Sequence, residues 1–528
     1  MNGKITGRIA GGFTARVTGL AAGLALTALA GTTAAPAAAS TPAPASAPAA
    51  GTSSGPGVAA PASAPAAGTS LGPGVAAPVT WRPCTGEGVP EDMECGSIEV
   101  PVNWARPRGK QVRLDLARLP ATEPARRIGG VLGVPGGPGS DGIEDLKRAA
   151  GGLTELRRRF DLLAYRPRTS VWAASSPASC ARPGATLYEP RHRRQLEALA
   201  ATMRKAFERC RDDDRTGLFS HLDSLSVARD MDAVRRALGE ERLSFMANSY
   251  GGVAAAAYIR LFPQRIRAMY VDGVANQIEG WPTFNLLTYG NAQETLTRFG
   301  RWCARTPECA LHGEDAAEVW RELTRAADRE PIPVTSEQFG PGELTGWHLR
   351  SFGFGPDPGP GHVRWLAFAE AVDKARRGDG SGFAEPVLGN MRVWAMPAIL
   401  AMTCGDQRGY TGWAELRDYR RQMREIAPDF PSVSADALGC TGWPEPVANP
   451  PRPLDVRGVP PVLGVGTTEG DLPVTEHFTK MVPGSVVVGY EGPGHVMYLQ
   501  GKKCPIAHAT AYLTDLRLPP PGTTCPAE

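Results

Sequence analysis

A serine with small residues two positions to either side stands in Met246-Ala247-Asn248-Ser249-Tyr250-Gly251-Gly252. That pattern suits a strand turning sharply into a helix, which lifts the serine Oγ above the sheet and sets it at the positive end of the helix. Backbone crowds such a turn, so small residues are needed there; Gly251 meets the demand, and Ala247 adds one methyl. The chemistry implied is acyl transfer through a covalent serine ester. Alone, the same residues are also an ordinary strand–helix turn. A second run, Pro135-Gly136-Gly137-Pro138-Gly139-Ser140, follows an apolar strand upstream. Acyl transfer needs two backbone N–H donors aimed at the oxyanion, one from the residue after the nucleophile and one from an early strand–helix loop. Tyr250 and Gly137 are the candidates, with Gly136 as the other choice for the second donor. No GxxxxGK[ST] run is present, so nucleotide binding is not indicated.

In the chain order serine, acid, histidine, the base comes late. Of the eight histidines, only His495 follows a strand-like run, SVVVGYEGPGH, through a Gly-Pro-Gly turn that presents an imidazole on a loop. His477 and His508 lie in helical contexts. The acid belongs on the loop after the preceding strand, where TTEGDLPVT offers Glu469 and Asp471. Its task is to fix the imidazole tautomer and stabilise the imidazolium. Spacing favours Asp471, with Glu469 as the alternative.

These residues need a scaffold, and from Trp81 the chain alternates short β-branched runs with helical patterns. Such alternation predicts an α/β fold, a mostly parallel sheet with helices on both faces. IGGVLGV, FDLLAY, LSFMAN, AMYVDGV and VPPVLGVG read as strands. SVARDMDAVRRALG carries Val227, Met231, Val234 and Leu238 at helical spacing and stops at Gly239. Helical patterns dominate from 276 to 395, as expected for a mainly helical cap laid over the strand ends. The core is then expected over 79–275 and 396–528.

The first 39 residues read as an export signal. Lys4, Arg8 and Arg16 precede a short apolar stretch, and small residues around Ala35, Ala37 and Ala39 offer cleavage sites. From 40 to 78 the chain is almost wholly Ala, Pro, Gly, Ser and Thr, with PASAPAAGTSSGPGVAA repeated in tandem with one change. So little bulky apolar surface predicts a disordered linker. Ten cysteines fall into neighbouring couples, Cys84/Cys95, Cys180/Cys210, Cys303/Cys309, Cys404/Cys440 and Cys504/Cys525, which in an exported chain favours five local disulfides. None has CxxC spacing, so no metal site is expected. A net charge of +3 over 528 residues, without a basic run, argues against a nucleic-acid partner. The apolar leader is too short to span a bilayer, so no membrane partner is expected.

Taken together, these segments resemble a known family, the secreted actinobacterial tripeptidyl aminopeptidases, relatives of proline iminopeptidase within the α/β-hydrolases. The resemblance runs from WRPCTGEGVPEDMECGSIEVPVNWARP through GGPG, RDMDAVRRALGEERLSFMANSYGG, YVDGV, WLAFAEAVDKARRGD and AILAMTCGD to PGH and AYLTDLRLPPPGTTC. It implies the α/β-hydrolase fold, Ser249 as nucleophile, His495 as base, and release of fragments from a free peptide N-terminus. The family's acid stands in a D-P-x-T-like sequence, which Asp471-Leu472-Pro473-Val474-Thr475 matches with Leu472 inserted. Arg166 and Thr169 replace the Asp and Gly of an Asp-x-Arg-Gly stretch, and Ala247 replaces a Gly. An aminopeptidase must bind an α-ammonium, for which a carboxylate near the cap is the natural partner; Asp406, after Cys404, is the candidate. The expectation is a secreted, extracellular monomer that acts on peptides and needs no cofactor. The alternatives are an esterase or amidase using the same triad, or a catalytically weakened binding protein on the same fold.

Overall fold

The computed structural model describes residues 78–180, 187–354 and 361–528. The export signal and all of the repeat linker except Pro78 therefore lie outside the described residues. Among the described residues twelve strands form in chain order: β1 (Arg82–Pro83), β2 (Glu94–Pro101), β3 (Gln111–Leu119), β4 (Gly129–Val134), β5 (Phe160–Tyr165), β6 (Leu243–Asn248), β7 (Ile266–Asp272), β8 (Ile332–Ser336), β9 (Gly340–Leu344), β10 (Leu463–Thr467), β11 (Val486–Tyr490) and β12 (Thr524–Cys525). Ten of them make one sheet in the order β1-β2-β3-β5-β4-β6-β7-β10-β11-β12, and β8 and β9 pair separately. From β5 to β12 neighbouring strands run parallel, while β1, β2 and β3 join antiparallel at one edge.

Strands β5, β6 and β10 are buried along their whole length. They are mostly apolar, without strict alternation, because helices cover both faces of a parallel sheet. Successive residues serve opposite faces. Phe245 and Ala247 face the helices Ser224–Ala237 and Gly251–Leu261. Met246 faces the side closed by Gly142–Ala149 and Lys503–Asp515. The antiparallel strand β3 alternates instead, with Leu114 and Leu116 inward and Gln111 and Arg113 outward.

Between β7 and β10 the main sheet receives no strand from the described residues. That insertion holds the helices Trp281–Cys303, Ala316–Arg329, Gly361–Arg376 and Ser381–Trp394 and the β8–β9 hairpin. Its own core is aromatic: Trp320 and Phe368 stack at 5.5 Å, Phe299 meets Phe368 at 5.1 Å, and Phe354 meets Phe430 at 5.1 Å. Helix Pro397–Asp406 packs on Arg168–Ser175 and Ser224–Ala237, so the chain is back against the core before the sheet resumes at Leu463. Helix Trp413–Ile426 still leans on Trp281–Cys303.

Disulfides join the five neighbouring cysteine couples. Each closes a loop and so narrows the unfolded ensemble. The arginine of the altered Asp-x-Arg-Gly stretch is a core strut. Arg168 is fully buried and grips Asp230 with two bonds of 2.6 Å, while its other donors reach the carbonyls of Val102, His221 and Pro101. Asp230 also accepts from Trp104 Nε1 at 3.0 Å. A buried pair this fully bonded balances the desolvation of both charges. Among the described residues no single helix is long and apolar enough to cross a membrane.

Candidate active site

Ser249 sits directly after β6 with φ of 48°, a left-handed conformation that L-residues avoid at a cost of about 1–2 kcal/mol. Three backbone bonds hold it there: Ser249 N–H donates to Asp272 O at 3.2 Å, and its carbonyl accepts from Gly252 at 3.0 Å and Ala275 at 2.8 Å. The turn is as crowded as the residue types imply. A Cβ at position 251 would stand 2.3 Å from Val134 O, and one at position 136 only 2.5 Å from Ser249 Cβ. The Gly-rich loop after β4 thus lies against the serine itself. Among the described residues, the N–H groups of Gly137 and Tyr250 donate to no protein acceptor. The extra methyl of Ala247 is absorbed in the core, where the residue is fully buried.

His495 and Asp471 meet at the ends of β11 and β10. Asp471 Oδ2 lies 2.6 Å from His495 Nδ1, and Oδ1 accepts from Thr467 N–H at 2.8 Å. His495 Nε2 is buried and has no hydrogen-bond partner. Glu469, the other acid on this loop, makes no hydrogen bond to His495, and its Oε2 is buried without a partner among the described residues. The inserted Leu472 is taken up in the first turn of helix Leu472–Lys480, where Thr475 N–H bonds Asp471 O at 3.0 Å.

Two residues that the sequence did not single out complete this corner. Asp272, the last residue of β7, accepts from Met497 N–H (3.0 Å), Tyr498 N–H (3.0 Å) and the Tyr270 hydroxyl (2.8 Å). It therefore fixes the segment immediately after His495, where Val496 has φ of 59°. Burial pushes the Asp272 carboxyl up to about 6; the Tyr498 and Met497 N–H groups oppose the rise, and the charge of Asp471 adds to it. Gly273 follows with φ of 58°, and a Cβ there would be 2.4 Å from Asp471 Oδ2 and 2.9 Å from His495 Nδ1. An Asp-Gly pair ending an apolar strand was the available signal, and it looks like any strand-ending turn.

The expectation that Asp406 receives a substrate ammonium is corrected by its surroundings. Asp406 is 1% exposed, and its oxygens already accept from Ser224 N–H (2.8 Å), Ser224 Oγ (2.6 Å), Tyr250 OH (2.9 Å) and Asn449 Nδ2 (3.1 Å). It braces the tyrosine next to the serine from below. Burial pushes its carboxyl up to about 7, against the bonds from Ser224. Of the other departures, Arg166 pairs with Asp141 at 2.8 Å and Asp115 at 3.2 Å on a partly exposed flank. Thr169 is buried under Gly139 of the Gly-rich loop, with its hydroxyl on Met402 Sδ at 3.3 Å. The one group of described residues spaced like metal ligands is Cys504, His508 and Cys525, and both cysteines are tied up in a disulfide.

A serine on a strained strand–helix turn, an imidazole oriented by a carboxylate at the ends of neighbouring strands, and a mostly parallel sheet define a class. The chain is a serine hydrolase of the α/β-hydrolase fold. Residues 189–378 match the family model described as alpha/beta hydrolase fold, and 428–525 match the one described as TAP-like protein. The chain is 28% identical to the serine protease Hip1 of Mycobacterium tuberculosis over 489 residues, covering 85% of this chain and 91% of that one. It is 28% identical to the tripeptidyl aminopeptidase of Streptomyces lividans over 419 residues, covering 73% and 74% of the two chains. It is also 26% identical to carboxylesterase B of Mycobacterium tuberculosis over 464 residues, covering 82% and 86%.

Proposed function

We propose that this chain is an exported serine exopeptidase that releases short fragments from the free N-terminus of peptides through an acyl-enzyme. The observation that carries the reading is the 2.6 Å contact between Asp471 and His495 Nδ1, which orients the imidazole and leaves its buried Nε2 without a partner. In this scheme His495 Nε2 takes the proton as Ser249 Oγ attacks the scissile carbonyl carbon. Asp471 holds Nδ1–H and stabilises the imidazolium. The N–H groups of Gly137 and Tyr250 receive the oxyanion. His495 then gives the proton to the leaving amine, and water releases the acyl fragment by the same route.

The exopeptidase half of the proposal is supported by the tripeptidyl aminopeptidase of Streptomyces lividans among the relatives and by an insertion whose helix Trp281–Cys303 reaches the loop after β10, where Asn291 Nδ2 donates to Gly470 O at 2.9 Å. Export is supported by the leader-like N-terminal sequence and by five disulfides, which suit an oxidising compartment. A second reading, an esterase, draws on the relative named carboxylesterase B. Hydrolysis of a chromogenic tripeptide, free and N-acetylated, by the wild type and Ser249→Ala separates them. Turnover of the free form only, lost in the variant, supports the exopeptidase. Equal turnover of both supports the esterase or an amidase, and turnover that survives in Ser249→Ala refutes the serine mechanism.

A further inference from the structure

An N-terminal peptidase needs an anion for the substrate's α-ammonium, and Asp406 is already occupied. Other buried and half-buried acids in this part of the chain are spent in the same way. Glu189 and Asp328 hold Arg350 at 3.2 and 2.8 Å, and Glu189 also holds Arg420 at 2.9 Å. Asp429 takes Arg321 at 2.7 Å. Asp436 is different. It is half-buried, and its carboxylate has neither an ion pair nor a hydrogen bond to any described residue.

The backbone around Asp436 is nevertheless tightly held. It lies in the short helix Ala435–Gly439, capped by Ser434, whose Oγ accepts from Ala437 N–H at 3.2 Å. Ser434 N–H donates to Tyr410 OH at 3.0 Å, and Asn285 of the cap helix Trp281–Cys303 reaches Ser434 Oγ at 3.3 Å. The following residue, Cys440, is bonded to Cys404. A Cβ at position 439 would meet Leu400 Cδ2 at 2.6 Å, so the helix has no room to shift. A rigid mount for an unpaired carboxylate is what a binding group needs. Three tyrosines lie within reach of its charge: Tyr250 beside the serine, Tyr289 of the cap helix, and Tyr419. No cation is among the groups that shift it; burial alone pushes its carboxyl up to about 7.

We infer that Asp436, an unpaired carboxylate on a rigidly held helix, is the anchor for the α-ammonium of the peptide substrate. A single unpaired carboxylate suits an organic ammonium, to which it offers a charge-assisted hydrogen bond. It does not suit a divalent metal, which needs several oxygen ligands. Tyr250 links the two parts of the site: its N–H lies next to the serine, and its side chain extends toward Asp406 and Asp436. The anchor thereby sets which carbonyl comes to Ser249, and it makes a blocked N-terminus a poor substrate.

This assignment rests on the N-terminal peptidase reading, and one assay separates the two. The ratio of kcat/KM for free over N-acetylated chromogenic tripeptide is measured for wild type, Asp436→Asn and Asp436→Glu, with melting temperatures as the check on folding. Loss of one charge-assisted bond lowers kcat/KM for the free substrate about 10–100-fold in Asp436→Asn, mostly through KM. The acetylated substrate moves less than about threefold, because it makes no such bond. Asp436→Glu keeps the charge and most of the preference. A folded Asn variant that still prefers the free amine as the wild type does overturns the anchor and leaves the peptidase reading standing. If the wild type itself shows no preference, both fall. Should Asp436→Asn not fold, the Glu variant decides: loss of the preference in a folded Asp436→Glu counts against a role set by charge.

Discussion

Replacing Asp272 with Asn tests how the histidine loop is held. In the wild type, Oδ1 accepts from Met497 N–H, and Oδ2 accepts from Tyr498 N–H and Tyr270 OH. An amide offers a single acceptor oxygen. Whichever way it is turned, its NH2 faces one of the two backbone N–H groups, and that buried donor is orphaned at a cost of about 1–3 kcal/mol. The opposing effect is the removal of a carboxylate that is itself disfavoured at neutral pH. Its pKa in the folded protein is about 6 against an ordinary 3.8, so the native state binds the proton more tightly than the unfolded chain does. The stabilisation from that proton is complete below the unfolded pKa and is lost as the pH rises through about 6, and it is worth about 3 kcal/mol in all. Linkage with these two values makes the wild type gain about 1.4 kcal/mol over the Asn variant on going from pH 8 to pH 5.

Urea unfolding at the two pH values reads this shift directly, because the other carboxyl groups are common to both proteins. At pH 8, where the two costs largely cancel, the variant is expected to be nearly as stable as the wild type but slower. A histidine displaced by about 1 Å costs on the order of 100-fold in turnover, so a drop in kcat of about 10–100-fold is expected. A variant with kcat within about twofold of the wild type, or a stability gap that narrows toward pH 5, would refute the reasoning.

The assignment of the acid is tested by a pair of substitutions. Asp471→Asn is expected to lower kcat by about 10³–10⁴-fold by disturbing the imidazole tautomer, whereas Glu469→Gln stays within about threefold; the reverse order in steady-state kinetics would move the acid to Glu469. Gly273→Ala places a methyl between Asp471 and His495 at a residue with φ of 58°, so kcat should fall by at least about 100-fold. If its kinetics match the wild type, the pair does not act as described.

Much of the scaffold was readable because the parallel strands are buried on both faces. FDLLAY became β5 residue for residue, and LSFMANSYGGVAAAAYIRLF divides into β6, the serine turn and the helix Gly251–Leu261. The five disulfides follow the neighbouring couples because each closes a short loop. The antiparallel edge was less visible: ECGSIEVP and QVRLDLARL alternate in burial only once they pair with each other in register. Within the site, the serine and histidine advertise themselves by the turns that carry them. Asp272, Gly273 and Asp436 do not. Each is an ordinary turn or first-turn residue until distant segments close around it, and Asp436 in SADALG reads as a helix-starting acid. Asp406 failed the other way. It is a carboxylate at a suggestive place, but its partners Ser224 and Asn449 come from remote stretches of chain.

The order of the strands also bears on how the protein is made. The serine turn and its Gly-rich loop are finished once β7 has joined β6, yet the imidazole and its acid arrive only when β10 docks on the free edge of β7 and β11 follows. The whole roof is synthesised in between. On the proposed mechanism, a nascent or truncated chain that ends anywhere before His495 carries Ser249 without its base, and completion of the C-terminal edge is what arms the serine.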